Sequence, residues 1–367
     1  MTDVRWSVIP RPAPDRHRPN PHVVAVDVDG VPVVASCATV ALTDVPEAWG
    51  TAFCLPAART RAALHLPAPV DPTWLAGTQA NVATAARWWG GDGTVEIEAP
   101  RRAPLRSGAR SWGRRRHRPP ERAAGRALCF TGGVDSFFSL LQADHRPTHL
   151  FFVVGFDIDL DDAIRGAAVT ATLDAVTAHS GTEAVVVQTD LRSHPRFASI
   201  SWEHTHGAAL AAMAHLLHAT IGTLVIPPSY AHERLVPWGS RPDFDPGWSV
   251  PRRLQIEHGD ATGRRLDRVL AIAGHPLVHE HLRVCWQNVA GTLNCGRCEK
   301  CVRTMVMLAG ADQLQRCRTF PDRAELPARL AALGSVGAEH AVMWADLVDL
   351  PLRPDERSAV ARLLDAP

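Results

Sequence analysis

The central part of the chain alternates short apolar runs with longer amphipathic stretches. ALCF (127–130), LFFVVGF (150–156) and AVVVQTD (184–190) are separated by VDSFFSLLQA (134–143) and DDAIRGAAVTATLDAVTAHSG (161–181), and a helical stretch at 209–219 precedes TLVIPP (223–228). Continuous apolar strands joined by helices predict a parallel sheet covered on both faces. Because such crossovers are right-handed, we expect an α/β fold with a doubly wound parallel sheet.

The first hundred residues carry a different pattern. Two β-rich runs flank Gly30 and predict a hairpin, while Asp71 as N-cap, Pro72 and the glycines after Trp89 bound a helix. Residues 95–99 (VEIEA) predict a strand. Residues 1–100 are therefore expected to form a small α/β N-terminal domain, and the sequence does not disclose its role.

An arginine-rich stretch follows this region. It contains one acidic residue, Glu121, and one aromatic residue, Trp112. Its ten arginines are Arg101, Arg102, Arg106, Arg110, Arg114, Arg115, Arg116, Arg118, Arg122 and Arg126. Arginine suits phosphate or RNA contacts, but a solvated linker at 101–125 is favoured over that alternative. Beyond it we expect the main domain at 126–316 and a helical C-terminal tail at 317–367.

Composition narrows the class of protein. Of 367 residues, 46% are hydrophobic and 21% are charged, which is the balance of a folded globular protein. No apolar run approaches the roughly 18 residues of a membrane helix, and the first residues lack an apolar secretory signal. We expect a cytoplasmic protein with no membrane partner and with reduced cysteines.

Lysine is almost absent. Lys300 is the chain's one lysine, and it stands between two cysteines. A Walker-type phosphate loop and Schiff-base chemistry both need a lysine in their usual place, so both classes are disfavoured. We expect phosphate to be bound by backbone amides, arginines or metal.

The most informative motif follows the first strand of the main domain. It comprises Thr131, Gly132, Gly133, Val134, Asp135 and Ser136, and it opens the next helix. Glycines let backbone amides approach an anion, the helix N-terminus adds positive partial charge, and the two hydroxyls can donate to phosphate oxygens. An acid inside such a loop must either cap the helix or engage a cation, and both alternatives stay open for Asp135.

This motif resembles the SGGxDS loop of N-type ATP pyrophosphatases in the HUP superfamily, with Thr131 in place of the first serine. The resemblance implies that the loop, including Asp135 and Ser136, holds the pyrophosphate of ATP with Mg²⁺. It also implies that AMP is transferred to an oxygen of the substrate before a nucleophile displaces it. Asp157, after the next strand, is a candidate for a ribose hydroxyl or Mg²⁺, whereas Asp161 or Asp162 is expected to cap the following helix.

Four of the eight cysteines are clustered. Cys285, Cys295, Cys298 and Cys301 have the spacing C-x9-C-x2-C-x2-C. Four thiolates complete a tetrahedral Zn²⁺ shell with no open position, so a structural zinc site is favoured over an iron–sulfur cluster. We expect Arg297, Lys300 and Arg303 to offset its negative charge. The remaining cysteines, Cys37, Cys54, Cys129 and Cys317, are expected to be small core residues.

The loop and the cysteine cluster together resemble the 7-cyano-7-deazaguanine synthase family over residues 126–308, although the N-terminal region is foreign to that pattern. The resemblance implies amide and then nitrile formation from a carboxylate, using ATP and ammonia. Candidate acid or base groups are Glu203 and His206, and an aromatic loop with Tyr230, Trp238 and Trp248 suits a substrate lid.

The expected function is therefore adenylation of a small-molecule carboxylate or amide oxygen by ATP, followed by attack of ammonia or an amine. Two alternatives stay open: a tRNA-thiolating enzyme of the same loop class, and a zinc-stabilised nucleotide or RNA binder without catalysis. RNA is the less favoured partner, and a homodimer is left open.

Overall fold

The computed structural model describes residues 5–11, 20–100, 122–142 and 146–365. Within these ranges the strands are β1 Arg5–Pro10, β2 Val23–Val28, β3 Val31–Cys37, β4 Ala63–His65, β5 Ile97–Glu98, β6 Gly125–Cys129, β7 His149–Val154, β8 Glu183–Thr189, β9 Ile221–Ile226 and β10 Gln255–His258. The helices are α1 Pro46–Thr60, α2 Pro72–Trp89, α3 Val134–Leu141, α4 Ala163–Ser180, α5 Trp202–His215, α6 Arg265–Ile272, α7 Pro276–His281, α8 Glu299–Gly310, α9 Leu326–Leu333, α10 Ala338–Ala345 and α11 Pro354–Asp365.

All ten described strands belong to one sheet in the order β10-β9-β6-β7-β8-β3-β2-β1-β4-β5. Six of the nine strand pairings are parallel, including every pairing from β10 to β8. The chain moves from β6 outward to β8 and then returns to place β9 on the other side of β6. Strand order therefore reverses at β6, and ligands of open α/β sheets bind at the carboxyl edge of such a switch point.

Helices cover both faces of this sheet and enclose two hydrophobic cores. On one face, α1, α2 and α5 bury four tryptophans that are 0% exposed: Trp6, Trp49, Trp74 and Trp248. We call this the aromatic face. On the other, α3, α4, α6 and α8 pack with the C-terminal helices around the cysteine cluster, and we call it the charged face. Alternate residues of β6 to β9 enter opposite cores, for example Leu128 and Cys129, because successive side chains of a strand point to opposite sides.

The local predictions for the first hundred residues are largely confirmed. β2 and β3 form the predicted hairpin, and Asp71 caps a helix that begins at Pro72 and ends at Trp89. The predicted strand at 95–99 is shorter, since pairing with β4 is limited to Ile97 and Glu98. β3 also pairs antiparallel with β8, so these strands continue the central sheet. Their separation as a domain of their own stays a prediction.

Part of the arginine-rich stretch lies outside the described residues, namely Arg101 to Arg118, Trp112 and Glu121. Its last two arginines are described and make ordinary surface contacts: Arg122 donates to Gln255 at 3.0 Å, and Arg126 pairs with Glu257 at 2.8 Å. The described part of the chain includes no helix with the length and apolar character required to cross a bilayer.

Candidate active site and metal centre

The loop between β6 and α3 lies at the switch point of the sheet. Gly132 has φ of +73°, in the region that favours glycine, and its carbonyl accepts the backbone N–H of Arg283 at 2.8 Å. Gly133 is the N-cap of α3 and makes no side-chain cap hydrogen bond. The first-turn amides of α3 are thus presented at the carboxyl edge, which is an arrangement suited to an anion.

Two hydroxyls lie beside these amides. The Ser136 hydroxyl donates to the Gly133 carbonyl at 2.9 Å and is buried, so it braces the loop. Thr131 lies over the same turn: a Cβ built on Gly133 would stand 3.3 Å from its Oγ1. The threonine that replaces the family's serine therefore keeps its hydroxyl at the helix N-terminus.

Asp135 engages cations and does not cap the helix. Its Oδ2 accepts from Arg265 at 2.7 Å, and its Oδ1 accepts from Arg268 at 3.1 Å. Both arginines come from α6, one turn apart, and Arg268 is only 1% exposed. Sequence reasoning missed this pair, because the RRLDR stretch has the helical i, i+3 spacing but no motif that ties it to a loop 130 residues earlier.

Several arginines lie around the loop, and they outnumber the acidic side chains there. Arg283 is 7% exposed, and burial lowers the pKa of its guanidinium, as it also lowers the pKa of Arg303. The Nε atoms of Arg283 and Arg265 are buried with no described hydrogen-bond partner. Buried donors without an acceptor are costly, so these atoms mark a place where an anion would satisfy them.

Asp157 lies on a tight turn after β7. Gly155 opens the turn with φ of +99°, and a Cβ there would stand 1.8 Å from the Thr189 carbonyl oxygen, so only glycine fits. The Asp157 carbonyl accepts from Asn288 Nδ2 at 2.6 Å and from Arg283 Nη2 at 3.4 Å. Its carboxylate makes no described hydrogen bond and remains available to a ligand at the edge.

The predicted cap of α4 is Asp162, whose carboxylate accepts the backbone N–H of Arg165 at 3.0 Å and a side-chain bond from the same residue. Those backbone and guanidinium donors lower the pKa of Asp162. Asp159 and Asp161 are exposed. Of this acidic cluster, Asp157 is the member that the fold directs to the edge.

His206 reaches the same edge from the first turn of α5. Its ring lies 5.4 Å from that of Trp238, which in turn lies 5.6 Å from Tyr230, so the predicted aromatic loop contacts it. Burial lowers the pKa of His206, against the opposing charges of Asp245 and Asp157. His206 is therefore neutral near pH 7 and able to accept a proton.

Glu203 and His204 lie elsewhere on the first turn of α5. The Glu203 side chain is exposed, and its backbone carbonyl accepts the Gly239 N–H at 2.8 Å. His204 stacks on Trp89 with ring centroids 4.0 Å apart. Because positions i and i+2 of a helix point in different directions, His204 does not share a site with His206.

The four cysteines predicted to bind metal come together. Their Sγ atoms all lie within 4.8 Å of one another, and those of Cys295 and Cys301 are 3.9 Å apart. A tetrahedron with bonds of about 2.3 Å has edges of about 3.8 Å, so the sulfurs could hold a metal ion such as zinc. Within the described ranges no other group of three or more histidine, cysteine or acidic side chains has this proximity.

Backbone amides and one asparagine set the geometry of the cluster. The N–H of Cys298 points to Cys295 Sγ at 3.3 Å, and that of Cys301 to Cys298 Sγ at 3.4 Å. Asn294 is buried and accepts the amides of Val284 and Cys285 at 2.8 and 3.2 Å. Hydrogen bonds, chiefly from the Cys301 thiol, lower the pKa of Cys298 to about 5, which favours a thiolate ligand. Asn294 was not predicted from the sequence, because its contacts form only when the segment that carries the four cysteines (285–301, called the ligand loop) has folded.

The other cysteines are buried, as predicted: Cys37, Cys54, Cys129 and Cys317. Burial raises the pKa of Cys54 and of Cys317 to about 12, and it also raises the pKa of Cys129. A thiol with a raised pKa is a poor nucleophile at neutral pH.

Comparison of the chain with protein-family models, with curated proteins and with solved structures returned no match. The function is therefore inferred from the chemistry of the two sites.

Proposed function

We propose that this protein is an ATP-dependent, AMP-forming enzyme that adenylates a carboxylate or amide oxygen of a small molecule and then admits ammonia or an amine. The observation that carries the proposal is the glycine loop at the N-terminus of α3, placed at the switch point of a parallel sheet and surrounded by buried arginines. The likeness of its sequence to the pyrophosphate loop of N-type ATP pyrophosphatases supports the same assignment.

The site has the features that a nucleotide polyphosphate requires. Loop amides and the Thr131 hydroxyl lie at the N-terminus of α3, and Arg265 and Arg283 each keep a buried Nε donor without a described hydrogen-bond partner. A small cleft beside the loop combines apolar side chains with a guanidinium, and it is lined by Phe130, Thr131, Gly132, Val169, Thr172, Leu173, His281, Arg283 and Leu293.

Mg²⁺ fits Asp157 better than Asp135. Both oxygens of Asp135 already accept from arginines, whereas the Asp157 carboxylate makes no described hydrogen bond. Proteins commonly hold Mg²⁺ through one or two carboxylates together with substrate phosphates. Mg²⁺ would neutralise charge on the phosphates, and Asp135 would hold the two α6 arginines beside the loop.

The chemistry assigns distinct tasks to the residues. A substrate oxygen attacks the α-phosphorus, the bond to the β-phosphate oxygen breaks, and the arginines stabilise the departing pyrophosphate. The amine nitrogen then attacks the acyl carbon, and AMP leaves with the oxygen. We assign to neutral His206 the task of taking the proton that the attacking nitrogen loses. Trp238 and Tyr230 exclude water that would otherwise hydrolyse the acyl-adenylate.

A second round would convert an amide to a nitrile. The amide oxygen attacks a second ATP, and loss of AMP with the remaining N–H proton leaves the carbon–nitrogen triple bond. This finer assignment to nitrile formation rests on the resemblance to 7-cyano-7-deazaguanine synthase.

Thiolation is disfavoured by the state of the thiols. Such an enzyme would need a reactive cysteine outside the metal cluster, and the four cysteines there are buried. A zinc-stabilised binder would bind ATP without turning it over, so a measurement of ATP turnover distinguishes it from the enzyme.

The test is exchange of labelled pyrophosphate into ATP with Mg²⁺ and pooled carboxylates that include 7-carboxy-7-deazaguanine. Thr131→Val removes the loop hydroxyl with little change of shape, and Thr131→Ser restores the family's residue. Thr170→Val, on the exposed side of α4, is the matched control. We expect exchange from wild type, T131S and T170V, and a loss of about tenfold or more in T131V.

Exchange that depends on one pool member would identify the acyl substrate. Equal exchange in T131V and wild type would contradict the role of the loop. ATP binding without exchange, hydrolysis or amide formation for any carboxylate, together with salt-sensitive RNA binding, would favour the non-catalytic binder.

A further inference from the structure

The aromatic face contains a cavity that the proposed function does not use. Its volume is about 200 Å³, compared with about 10 Å³ for the cleft beside the glycine loop, and the two share no lining residue. The cavity lies between the C-terminal ends of α1 and α2, the glycine-rich turn 90–93 and the segment 199–204 that leads into α5. The first hundred residues therefore build most of a second cavity that is separate from the glycine loop.

The walls of this cavity are apolar and aromatic. Leu55 of α1, Val82 of α2 and Ile200 supply aliphatic surface. Trp89 and His204 form an aromatic wall, with ring centroids 4.0 Å apart and ring planes 14° from parallel. An apolar cavity of about 150 Å³ accommodates a benzene molecule, so this cavity has room for one aromatic ring with a substituent or for a small fused pair.

The aromatic wall is held by the core behind it. The Trp89 ring contacts the Trp88 ring edge to face at 5.3 Å, and the Trp88 ring contacts that of Phe244 at 5.2 Å. Phe244 is fully buried in the core. A ligand that meets rings already fixed by packing does not have to order them, which lowers the entropic cost of binding. The cavity is therefore suited to a flat ring without rearrangement of its wall.

One cation that lines the cavity has no acidic partner within the described ranges. Arg59 Nη1 donates to the carbonyl oxygens of Trp89 at 2.6 Å and Gly90 at 3.2 Å, and these are the hydrogen bonds that its guanidinium makes to described residues. The acidic residue of the lining, Asp92, is already paired with Arg61 at 2.7 Å. The remaining N–H groups of Arg59 are thus available, and the planar guanidinium is well matched to a carboxylate.

We propose that this cavity binds a small molecule with a flat aromatic body and a single carboxylate. The aromatic body lies against Trp89 and His204, and the carboxylate accepts from Arg59. No residue of the glycine loop takes part, so the proposal does not depend on the proposed function. Two sources of ligand share this chemistry, namely the acyl substrate of the proposed enzyme and a separate effector.

The test measures binding of benzoate, indole-3-carboxylate and 2-naphthoate to the full-length protein by calorimetry. Indole, which lacks the charge, and acetate, which lacks the ring, are the reference compounds. We expect at least one of the three aromatic carboxylates to bind with a Kd below about 1 mM, and to bind more tightly than either reference compound.

Two variants test the two parts of the cavity. Ala86→Phe fills the cavity from α2, and Ala80→Phe, on the exposed side of the same helix, is its matched control. Arg59→Met removes the guanidinium, and Arg87→Met, exposed on α2, is the control for loss of an arginine. We expect binding about tenfold or more weaker in A86F, and no change in A80F or R87M. R59M should bind the carboxylates about tenfold more weakly, because it loses a charge-assisted hydrogen bond.

Failure of all three carboxylates to bind, or equal binding in A86F and wild type, would overturn the proposal. Equal binding in R59M and wild type would overturn the assignment of a carboxylate. If A86F fails to fold, hydrogen–deuterium exchange of wild type gives an independent answer. Exchange in residues 85–93 and 199–204 should slow under saturating ligand, while α11 stays unchanged. Unchanged exchange in both segments would contradict binding in this cavity.

Pyrophosphate exchange into ATP in the presence of each bound carboxylate distinguishes the two sources of ligand. Exchange that wild type shows and A86F loses would identify the ligand as the acyl substrate. Binding without exchange would identify it as a separate effector. Absence of exchange with every carboxylate counts against the proposed function, whereas the cavity is tested by binding alone.

Discussion

The two faces of the sheet are packed by different means. The aromatic face is closed by large apolar side chains, and of the five tryptophans in the described ranges that are 0% exposed, four lie there. The charged face buries Arg268, Arg283 and Arg303 together with three of the four clustered cysteines, which are Cys285, Cys298 and Cys301. Apolar packing needs no ligand, whereas buried charge and clustered thiols each need a partner to be stable.

The two faces therefore have different main roles, which are structural support for the aromatic face and chemistry for the charged face. The first hundred residues contribute their core side chains to the aromatic face, where α1 packs on α5. They also reach the carboxyl edge, because β3 pairs with the last residues of β8 and the Val34 N–H donates to Asp190 at 2.7 Å. We infer that the aromatic face holds the sheet rigid and contributes His206, that the charged face assembles the phosphate and metal sites, and that the two faces respond differently to metal, mutation and pH.

Loss of metal should give the largest effect, and it should be confined to the charged face. Cys298→Ser or chelation is expected to lower the stability of this face by about 5 kcal/mol or more, since structural zinc contributes strongly to folding. Hydrogen–deuterium exchange should rise in α8 and α9, while α1 and α5 stay protected. Cys317→Ser, at a buried cysteine outside the cluster, should keep its zinc and lose about 1–3 kcal/mol. Equal deprotection of both faces would show that they unfold as one cooperative unit.

Removal of the loop acid should give the next largest effect. Asp135→Ala leaves the buried Arg268 and the nearby Arg265 without their carboxylate, and breaking a buried ion pair in this way costs about 3–5 kcal/mol. Asp92→Ala, which breaks the exposed pair with Arg61, should cost no more than about 1 kcal/mol. Denaturant unfolding of the two variants measures the contrast. Equal stabilities would mean that Asp135 is dispensable to the fold, and that its substitution reports on catalysis alone.

The parts of the site that are local in sequence could be predicted. The glycine loop follows its strand directly, and the four cysteines fall within 17 residues, so spacing alone indicated both. Asp71 and Asp162 were predictable as caps for the same reason, because a cap and its helix are adjacent in the chain.

The parts that depend on tertiary packing could not be predicted. Arg265 and Arg268 meet Asp135 only because α6 packs beside α3, and Asn294 clamps the ligand loop only after that loop has folded. Such contacts carry no local sequence pattern.

Acid should weaken the aromatic face through a buried histidine, with an effect smaller than those above. Burial lowers the pKa of His215 to about 4, and its Nε2–H donates to the Trp248 carbonyl at 2.8 Å. The unfolded chain takes up this proton near pH 6.5 and the folded chain only near pH 4, so His215 costs nothing above pH 6.5 and increasingly destabilises the fold as pH falls through this window. At 1.36 kcal/mol per pKa unit, the difference amounts to about 3 kcal/mol by pH 4. His215→Gln keeps a donor without the titration, and its urea-unfolding free energy should therefore fall less steeply than that of wild type between pH 6.5 and 4. Parallel curves for the two proteins would mean that the folded protein tolerates a charged His215. Water and charge would then enter the aromatic face more easily than the burial of its tryptophans indicates.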